Sequence, residues 1–189
     1  MRKLIYGMNV SLDGYIAAPG DDIGWSTPSD ELFRFWSDQL RATELTLYGR
    51  KLWRTMSSHW PTADQRPDAG PAEVEFARRW REMAKVVFSS TIDEDEVDWN
   101  TRLVTGDAVA AITRLKASNG GPMDIGGATL AGAAMRAGLI DEYVIAAHPV
   151  LVGGGTPFFA DLADQVDLHL VETRTFPGGV LLTRYETRR

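Results

Sequence analysis

Two adjacent glycines, Gly126 and Gly127, stand where a short predicted strand meets a helix of small residues. Glycines at such a junction let the backbone approach a ligand closely, and the first turn of a helix favours an anion such as a pyrophosphate. The same pair would also serve a turn that only needs a flexible backbone. On these residues alone, the anion site and the simple turn are equally supported.

A second strand-to-helix junction carries positive charge. Gly49 is followed by Arg50 and Lys51, whose side chains suit a phosphate group. Ser89 and Ser90 end a further predicted strand that would lie alongside this junction. Without other information, Arg50 and Lys51 fit solvated surface charges better than a phosphate site.

The carboxylate of Asp30 has two interpretations. Thr27 is a good N-cap and Pro28 suits the first helical position, so Asp30 would be a capping acid that complements the helix dipole. The functional alternative makes it a candidate catalytic acid in an apolar cleft, where desolvation would raise its pKa. Three other candidate substrate-site residues would surround it: Trp25, Phe33 and Asp13.

The composition excludes several classes of protein. The 189 residues contain no cysteine, which rules out disulfides, thiolate metal sites and a cysteine nucleophile. The three histidines are far apart, so no metal is expected. A net charge of −6 argues against nucleic acid, and no apolar run approaches the roughly 20 residues of a membrane helix. We therefore expect a soluble, cytoplasmic protein with a small-molecule ligand and no membrane partner.

Hydrophobic periodicity predicts strands that alternate with helices, then a C-terminal hairpin around residues 177–179. Residues 57–71 are predicted to be a loop. This order indicates an α/β fold with a mixed sheet, and the length suits a single domain over residues 1–189. The predicted helices start near residues 28, 50, 71, 107 and 128.

Five segments, taken in order, resemble the dihydrofolate reductase-like superfamily, and most closely its branch with the reductase domain of bacterial riboflavin biosynthesis. They are Ser11–Ala17 (SLDGYIA), Gly49–Trp53 (GRKLW), Val87–Thr91 (VFSST), Ile125–Leu130 (IGGATL) and Pro149–Phe159 (PVLVGGGTPFF). The resemblance covers nearly the whole chain. It implies a mixed, mostly parallel central sheet flanked by helices, with a C-terminal antiparallel hairpin.

The resemblance also implies NADPH as the cofactor. On the family pattern, Gly49, Arg50 and Lys51 would hold the adenosine-side phosphates, while Ser89 and Ser90 would flank the 2′-phosphate and the adenine. The remaining cofactor-binding residues would be Val10 near the nicotinamide, and Gly126, Gly127, Ala128, Thr129 and Leu130 around the pyrophosphate.

The substrate side is assigned by the same resemblance. Asp30 lies in the segment that resembles the one carrying the acid that anchors the pterin ring in true dihydrofolate reductases. The other substrate-binding residues would be Met8, Asp13, Trp25, Phe33, Gly155 and Thr156.

The function implied is an NADPH-dependent reductase that transfers hydride to a C=N or C=O carbon of a pterin- or pyrimidine-like ring. The activity would be similar to that of dihydrofolate reductase or of 5-amino-6-(5-phosphoribosylamino)uracil reductase. Relatives in the riboflavin branch commonly dimerise, so a homodimer is expected. The alternative is a non-catalytic nucleotide- or ligand-binding module on the same fold.

Overall fold

The computed structural model describes residues 1–188, and it contains ten strands and five α-helices within them. The strands are β1 (Leu4–Ser11), β2 (Tyr15–Ala17), β3 (Leu45–Gly49), β4 (Ala84–Phe88), β5 (Thr101–Val104), β6 (Met123–Gly126), β7 (Glu142–His148), β8 (Thr156–Pro157), β9 (Leu168–Phe176) and β10 (Val180–Thr187). The helices are α1 (Asp30–Ala42), α2 (Arg50–His59), α3 (Pro71–Glu82), α4 (Ala108–Ala117) and α5 (Ala128–Arg136).

Eight of these strands form the central sheet, in the order β5-β4-β3-β6-β1-β7-β10-β9. The strands from β5 to β7 run parallel. β10 is antiparallel to both of its neighbours, β7 and β9. The predicted α/β fold, with its mostly parallel sheet and C-terminal hairpin, is thus confirmed.

Helices cover the parallel part of the sheet on both faces, as nearly continuous apolar strands require. On one face, here termed the α5 face, Ile112 of α4 and Ala134 of α5 pack against Leu47 and Ile125. A fully buried large apolar side chain contributes roughly 1.5–3 kcal/mol to stability. This core therefore fixes where α5 begins relative to the sheet.

The opposite face, termed the α1 face, has two cores. Leu32 and Phe35 of α1 pack against β7 and the C-terminal hairpin. Trp53 of α2 stacks on Trp80 of α3, with their ring centroids 5.6 Å apart, and both pack over the β3–β4 side. α1 and α2 thus cover different parts of one face.

Some local predictions need correction. α1 begins at Asp30 instead of Pro28, because the hydroxyl of Ser29 accepts a hydrogen bond from the Leu32 amide at 3.3 Å. Residues 57–71 are not all loop, since α2 continues to His59 and a 3-10 helix follows over Trp60–Gln65. Within residues 1–188, no helix combines the length and apolar character needed to cross a bilayer.

A separate two-stranded sheet, β2 with β8, joins two loops that follow β1 and β7. Gly155 lies directly before β8 at φ +119°, and a Cβ there would collide with the carbonyl oxygen of Ala17 and lie 2.8 Å from the carbonyl carbon of Ala18. Gly153 also has positive φ (+74°), but a Cβ at that position would meet no atom within 4 Å. The close approach of two backbones therefore explains Gly155 in particular.

We expect Gly155→Ala to destabilise the protein more than Gly153→Ala. Gly153→Ala carries only the cost of a positive φ, about 1 kcal/mol. Gly155→Ala adds a steric collision with backbone, worth roughly a further 1–3 kcal/mol. Urea denaturation of the two variants measures the difference, and equal losses would show that the β2–β8 contact is not tight.

Candidate functional site

The two glycine junctions predicted from the sequence meet at the carboxyl ends of β3 and β6. A Cβ on Gly127 would lie 3.5 Å from the backbone nitrogen of Gly49, and a Cβ on Gly49 would lie 3.8 Å from the carbonyl oxygen of Gly126. α2 leaves β3 toward the α1 face, whereas α5 leaves β6 toward the α5 face. Ligands of open α/β sheets bind in the crevice at such a divergence.

The helices that begin at this crevice have no side-chain cap. Gly49 and Gly127 are the N-cap residues of α2 and α5, and neither provides a capping hydrogen bond. By contrast, Ser29 caps α1 and Asp107 caps α4. The first amides of α2 and α5 therefore have no intrahelical or side-chain acceptor, and they can bind an anion.

Protein packing also accounts for the Gly126–Gly127 pair. A Cβ on Gly126 would displace the side chain of Leu52, and Gly127 has φ +94°, a conformation that favours glycine. Leu130, in the first turn of α5, would contact a Cβ on Gly49 at 3.4 Å. Ala128 and Thr129 lie at the open start of α5. The two glycines thus bring the N-termini of α2 and α5 together, so they do more than form a flexible turn.

The positively charged junction is exposed, and its two cations point to different partners. Nη1 of Arg50 donates to Oγ1 of Thr91 at 2.6 Å, so this guanidinium lies beside the segment that follows β4. Ser89 in that segment accepts from the amides of Thr91 and Ile92, while Ser90 is exposed. The expected proximity of Arg50 to the end of β4 is therefore present.

Lys51 forms an ion pair with Asp21, which belongs to the loop after β2. Both side chains are exposed, so the pair contributes little to stability. It does place the charged end of Lys51 toward that loop and not toward Ser89.

The carboxyl-terminal half of β1 presents a polar group that the sequence did not single out. Asn9 accepts a hydrogen bond from Nε1 of Trp36 at 2.9 Å and donates to the carbonyl of Ser26 at 3.2 Å. Gly7 lies under the same indole, because a Cβ there would be 3.1 Å from Trp36. The signal that could have identified Asn9 in the sequence is a polar residue within an otherwise apolar strand. Met8 and Val10 alternate with these residues and pack on the α5 face.

Asp30 is the first residue of α1, and its side chain is exposed. The expected desolvation by Trp25 and Phe33 is not seen. Phe33 packs instead toward α3, with its ring 5.5 Å from that of Phe76. Trp25 donates to the carbonyl of Asp22 at 3.1 Å.

The indole of Trp25 meets the imidazole of His148 edge-on, with ring centroids 5.6 Å apart. His148 ends β7 in register with Ser11 and is 5% exposed. Its Nε2 is buried without a hydrogen-bond partner in residues 1–188, and burial lowers the pKa of the imidazole. Burial beneath the loop that carries Trp25 therefore disfavours the charged form of His148.

Asp13 joins the two loops that border the site. Its carboxylate accepts from the amides of Val152 (3.1 Å) and Gly153 (2.8 Å). The hydroxyl of Ser11, followed by these backbone amides, lowers the pKa of Asp13. Thr156, placed in β8 opposite Ala17, belongs to the same assembly. The structure thus gives Asp13 a loop-tethering role, and substrate contact by Asp13, Gly155 and Thr156 stays a prediction.

A second carboxyl group lies deep on the α1 face. Asp124 of β6 is in register with Ile5 of β1 and Thr46 of β3, so the three side chains point to the same face. Burial raises the pKa of Asp124 to about 8. At neutral pH this group is therefore mostly a neutral carboxylic acid. In the sequence, Asp124 is the single acid of a very short strand. Its neighbours Ile5 and Thr46 can be identified only from the register of the strands.

Comparisons with known proteins agree with this arrangement. Residues 2–182 match the model of the RibD C-terminal domain family. The chain is 30% identical over 185 residues to the uncharacterized protein YyaP of Bacillus subtilis (strain 168), across 97% of this chain and 94% of YyaP.

Two solved structures share the fold at low identity. One is the diaminohydroxyphosphoribosylaminopyrimidine deaminase/5-amino-6-(5-phosphoribosylamino)uracil reductase of Thermotoga maritima, with a TM-score of 0.67 and 17% identity over 99% of this chain and 57% of that chain. The other is dihydrofolate reductase from Enterococcus faecalis complexed with NADP(H) and RAB-propyl, with a TM-score of 0.64 and 15% identity over 99% of this chain and 97% of that chain.

The sheet order, the crevice between β3 and β6 and the C-terminal hairpin define a dihydrofolate reductase-like α/β fold. Within that class, the chain belongs to the RibD C-terminal domain family. The resemblance seen in the sequence is therefore confirmed for both superfamily and branch.

The raised pKa of Asp124 has a consequence for stability. In the unfolded chain this group titrates near pH 4, and in the folded protein at about 8. Its contribution is thus fully present below pH 4 and is lost as pH rises to about 8. Asp124→Asn removes this titration, so the variant should match wild type at pH 4 and exceed it above pH 8.

Each unit of raised pKa corresponds to about 1.4 kcal/mol, so we expect a gap of at least that size at pH 9. Denaturant unfolding across pH 4–9 measures it. Asp161→Asn, which changes an exposed acid, serves as the matched control. A gap that does not depend on pH would show that Asp124 is ionised at neutral pH in the folded protein.

Proposed function

We propose that this protein is an NADPH-dependent reductase of a pterin- or pyrimidine-like heterocycle. The observation that carries the proposal is the meeting of two uncapped helix N-termini, those of α2 and α5, at one crevice beside the end of β1. This arrangement suits a pyrophosphate-containing cofactor. The family match and the reductases among proteins of the same fold support it.

The residues around the crevice fit such a cofactor. The first amides of α5, from Ala128 to Leu130, would hold the pyrophosphate, because Gly127 leaves them without a cap. Arg50 would bind the 2′-phosphate, since it already lies beside the Ser89–Thr91 segment, and Ser90 offers an exposed hydroxyl there. A guanidinium can bind two phosphate oxygens at once. Lys51 would exchange Asp21 for a phosphate.

NADPH supplies a hydride when it is bound. The chain's own residues would orient the ring that accepts it and exclude water from the site. Trp25, Trp36 and Asn9 would position the substrate from the α1 face, with Met8 and Val10 behind them. The proton that completes the reduction would come from water or from Asp30, whose exposed carboxylate can exchange protons with solvent.

We also propose that the protein acts as a homodimer. The outer part of the sheet supports this, because β9 is an edge strand of nine residues. Leu170, Leu181 and Phe159 are between 44% and 47% exposed on and beside the hairpin. Exposed apolar side chains along an edge are typical of a surface that a second chain covers.

Arg50→Ala tests the cofactor assignment. Loss of a charge-assisted hydrogen bond should weaken NADPH binding by about 1.5–3 kcal/mol and leave NADH binding nearly unchanged. Arg54→Ala is the matched control, since Arg54 lies one turn further along α2 and pairs with Glu96. Calorimetric titration with both nucleotides measures the effect. Equal losses for NADPH and NADH, or a wild-type preference for NADH, would contradict the role of Arg50.

Asp30→Asn tests the proton donor. Ser29 provides the helix cap, so the substitution should change stability by less than about 1 kcal/mol. If Asp30 donates the proton, turnover should fall at least about tenfold, because positioned acids supply roughly 10²–10⁴-fold in rate. Glu31→Gln, the neighbouring exposed acid, is the control.

NADPH oxidation is measured with dihydrofolate and with 5-amino-6-(5-phosphoribosylamino)uracil, together with the melting temperature. Unchanged turnover in Asp30→Asn would assign the proton to water. NADPH binding by wild type without oxidation in the presence of either heterocycle would favour the non-catalytic binding module.

A further inference from the structure

Residues 18–27, which connect β2 to α1, form a mostly exposed segment, here termed the strap. The strap contains two 3-10 turns, Pro19–Asp21 and Gly24–Ser26, and neither turn buries a residue. Its backbone hydrogen bonds are local, as in the bond from the Ala18 amide to the carbonyl of Asp22 at 2.8 Å. Because such a segment has little packing of its own, side-chain contacts decide where it lies.

The tip of the strap is held by charge. Asp21 forms an ion pair with Lys51, the second residue of α2. Asp21 also has a φ of +65°, a conformation that residues other than glycine adopt at a cost. The ion pair therefore accompanies an unfavourable backbone conformation, and losing the pair would allow Asp21 to leave that conformation.

At its other end, the strap covers polar groups of β1 and β7. The side-chain amide of Asn9 donates to the carbonyl of Ser26 at 3.2 Å, and the indole of Trp25 lies edge-on against the ring of His148. His148 is 5% exposed, and its Nε2 has no hydrogen-bond partner within residues 1–188. Burying a polar atom without a partner costs free energy. Release of the strap would expose this nitrogen to water or to a ligand.

Lys51 is the cation for which two anions would compete. Its residue lies at the start of α2, whose N-cap provides no side-chain acceptor, and the proposed function assigns this position to a phosphate. A phosphate group carries more charge than a carboxylate and has three strong acceptor oxygens, so it is the stronger partner for the ammonium group and the free amides. Asp21 and a bound phosphate would also repel each other. Phosphate binding should therefore displace Asp21.

We propose that Asp21 is an internal competitor for the phosphate of the cofactor, and that phosphate binding at Lys51 releases the strap. Release uncovers Asn9 and His148 at the carboxyl ends of β1 and β7, on the face where the heterocycle would bind. The cofactor therefore binds first and gives the heterocycle access. This inference rests on the proposed function and adds the order of binding. By linkage, a change that weakens the pair between Lys51 and Asp21 strengthens phosphate binding.

The first experiment measures binding of inorganic pyrophosphate and of NADPH by calorimetry at constant ionic strength. Asp21→Asn keeps the shape of the side chain and tolerates a positive φ, so it removes only the charge. We expect this variant to bind both ligands about two- to fivefold more tightly than wild type, the range that matches an exposed ion pair. Asp22→Asn is the matched control, because it removes an exposed acid of the same segment and keeps the Oδ1 that accepts from the Gly24 amide. The control should bind both ligands like wild type.

A double-mutant cycle separates the ion pair from a general effect of charge. In Lys51→Met, which has no ammonium group, Asp21→Asn should leave both affinities unchanged, because there is no contact to remove. A gain in affinity that persists in the Lys51→Met background, or an equal gain in Asp22→Asn, would overturn the proposal. The absence of pyrophosphate binding in both wild type and Asp21→Asn would overturn it as well.

Chemical labelling of His148 follows the position of the strap. Diethyl pyrocarbonate modifies accessible imidazoles, and peptide mass spectrometry resolves His148 from the exposed His59 and His169, which serve as internal references. We expect His148 to react about two- to fivefold faster in Asp21→Asn and in Lys51→Met than in wild type, because opening no longer breaks the ion pair. Pyrophosphate should accelerate this labelling in wild type but not in Asp21→Asn. Equal labelling of His148 in wild type and Asp21→Asn would show that Asp21 does not hold the strap closed, and the proposal would fail.

The two ligands distinguish failure of this inference from failure of the proposed function. If NADPH does not bind, while pyrophosphate binding and His148 labelling respond to Asp21→Asn as expected, the proposed function fails and the strap stands. If NADPH binds wild type and Asp21→Asn equally, and the labelling of His148 does not differ, the strap fails alone.

Discussion

The helices that follow the neighbouring strands β3 and β6 lie on opposite faces of the sheet. The candidate site depends on this divergence. β6 lies between β3 and β1; the helices that follow these two neighbours cover the α1 face, whereas α5 covers the other face. The N-termini of α2 and α5 therefore meet where β3 and β6 end. The uncapped amides of α2 and α5 and the glycines that let the two helix ends approach both follow from that one topological fact.

The sequence was sufficient for the fold and for the two glycine junctions that meet at the ends of β3 and β6. Hydrophobic periodicity and the positions of the glycines are local signals that mark the strands, the helices and the junctions between them. The topology of the sheet then brings those junctions together. The exact ends of the helices were harder to predict. Thr27 and Ser29 are both good N-cap residues, and only the structure shows that Ser29 caps α1. Phe33 was expected beside Asp30, yet its ring packs toward α3, a helix whose position the local sequence around α1 does not specify.

The polar groups on the α1 face could not be predicted from local patterns. Asp124 and Thr46 are 78 positions apart in the chain, and their proximity results from strand register. Asn9 and Trp36 meet because Gly7 lets an indole lie on the sheet. Asp30 was conspicuous in the sequence because it stands near a helix start, and it proves to be exposed. Polar groups that are remote in sequence and adjacent in space are the ones that sequence reasoning missed.

The tether between the loops after β1 and β7 has a dynamic consequence. The amide of Leu12 donates to the carbonyl of Val150, Asp13 holds the next turn, and the amide of Phe158 donates to the carbonyl of Gly14. These bonds link both sides of the entrance, so neither loop can swing away while the other stays in place. Movement of either loop alone would break these bonds, so the structure couples the two loops as one unit.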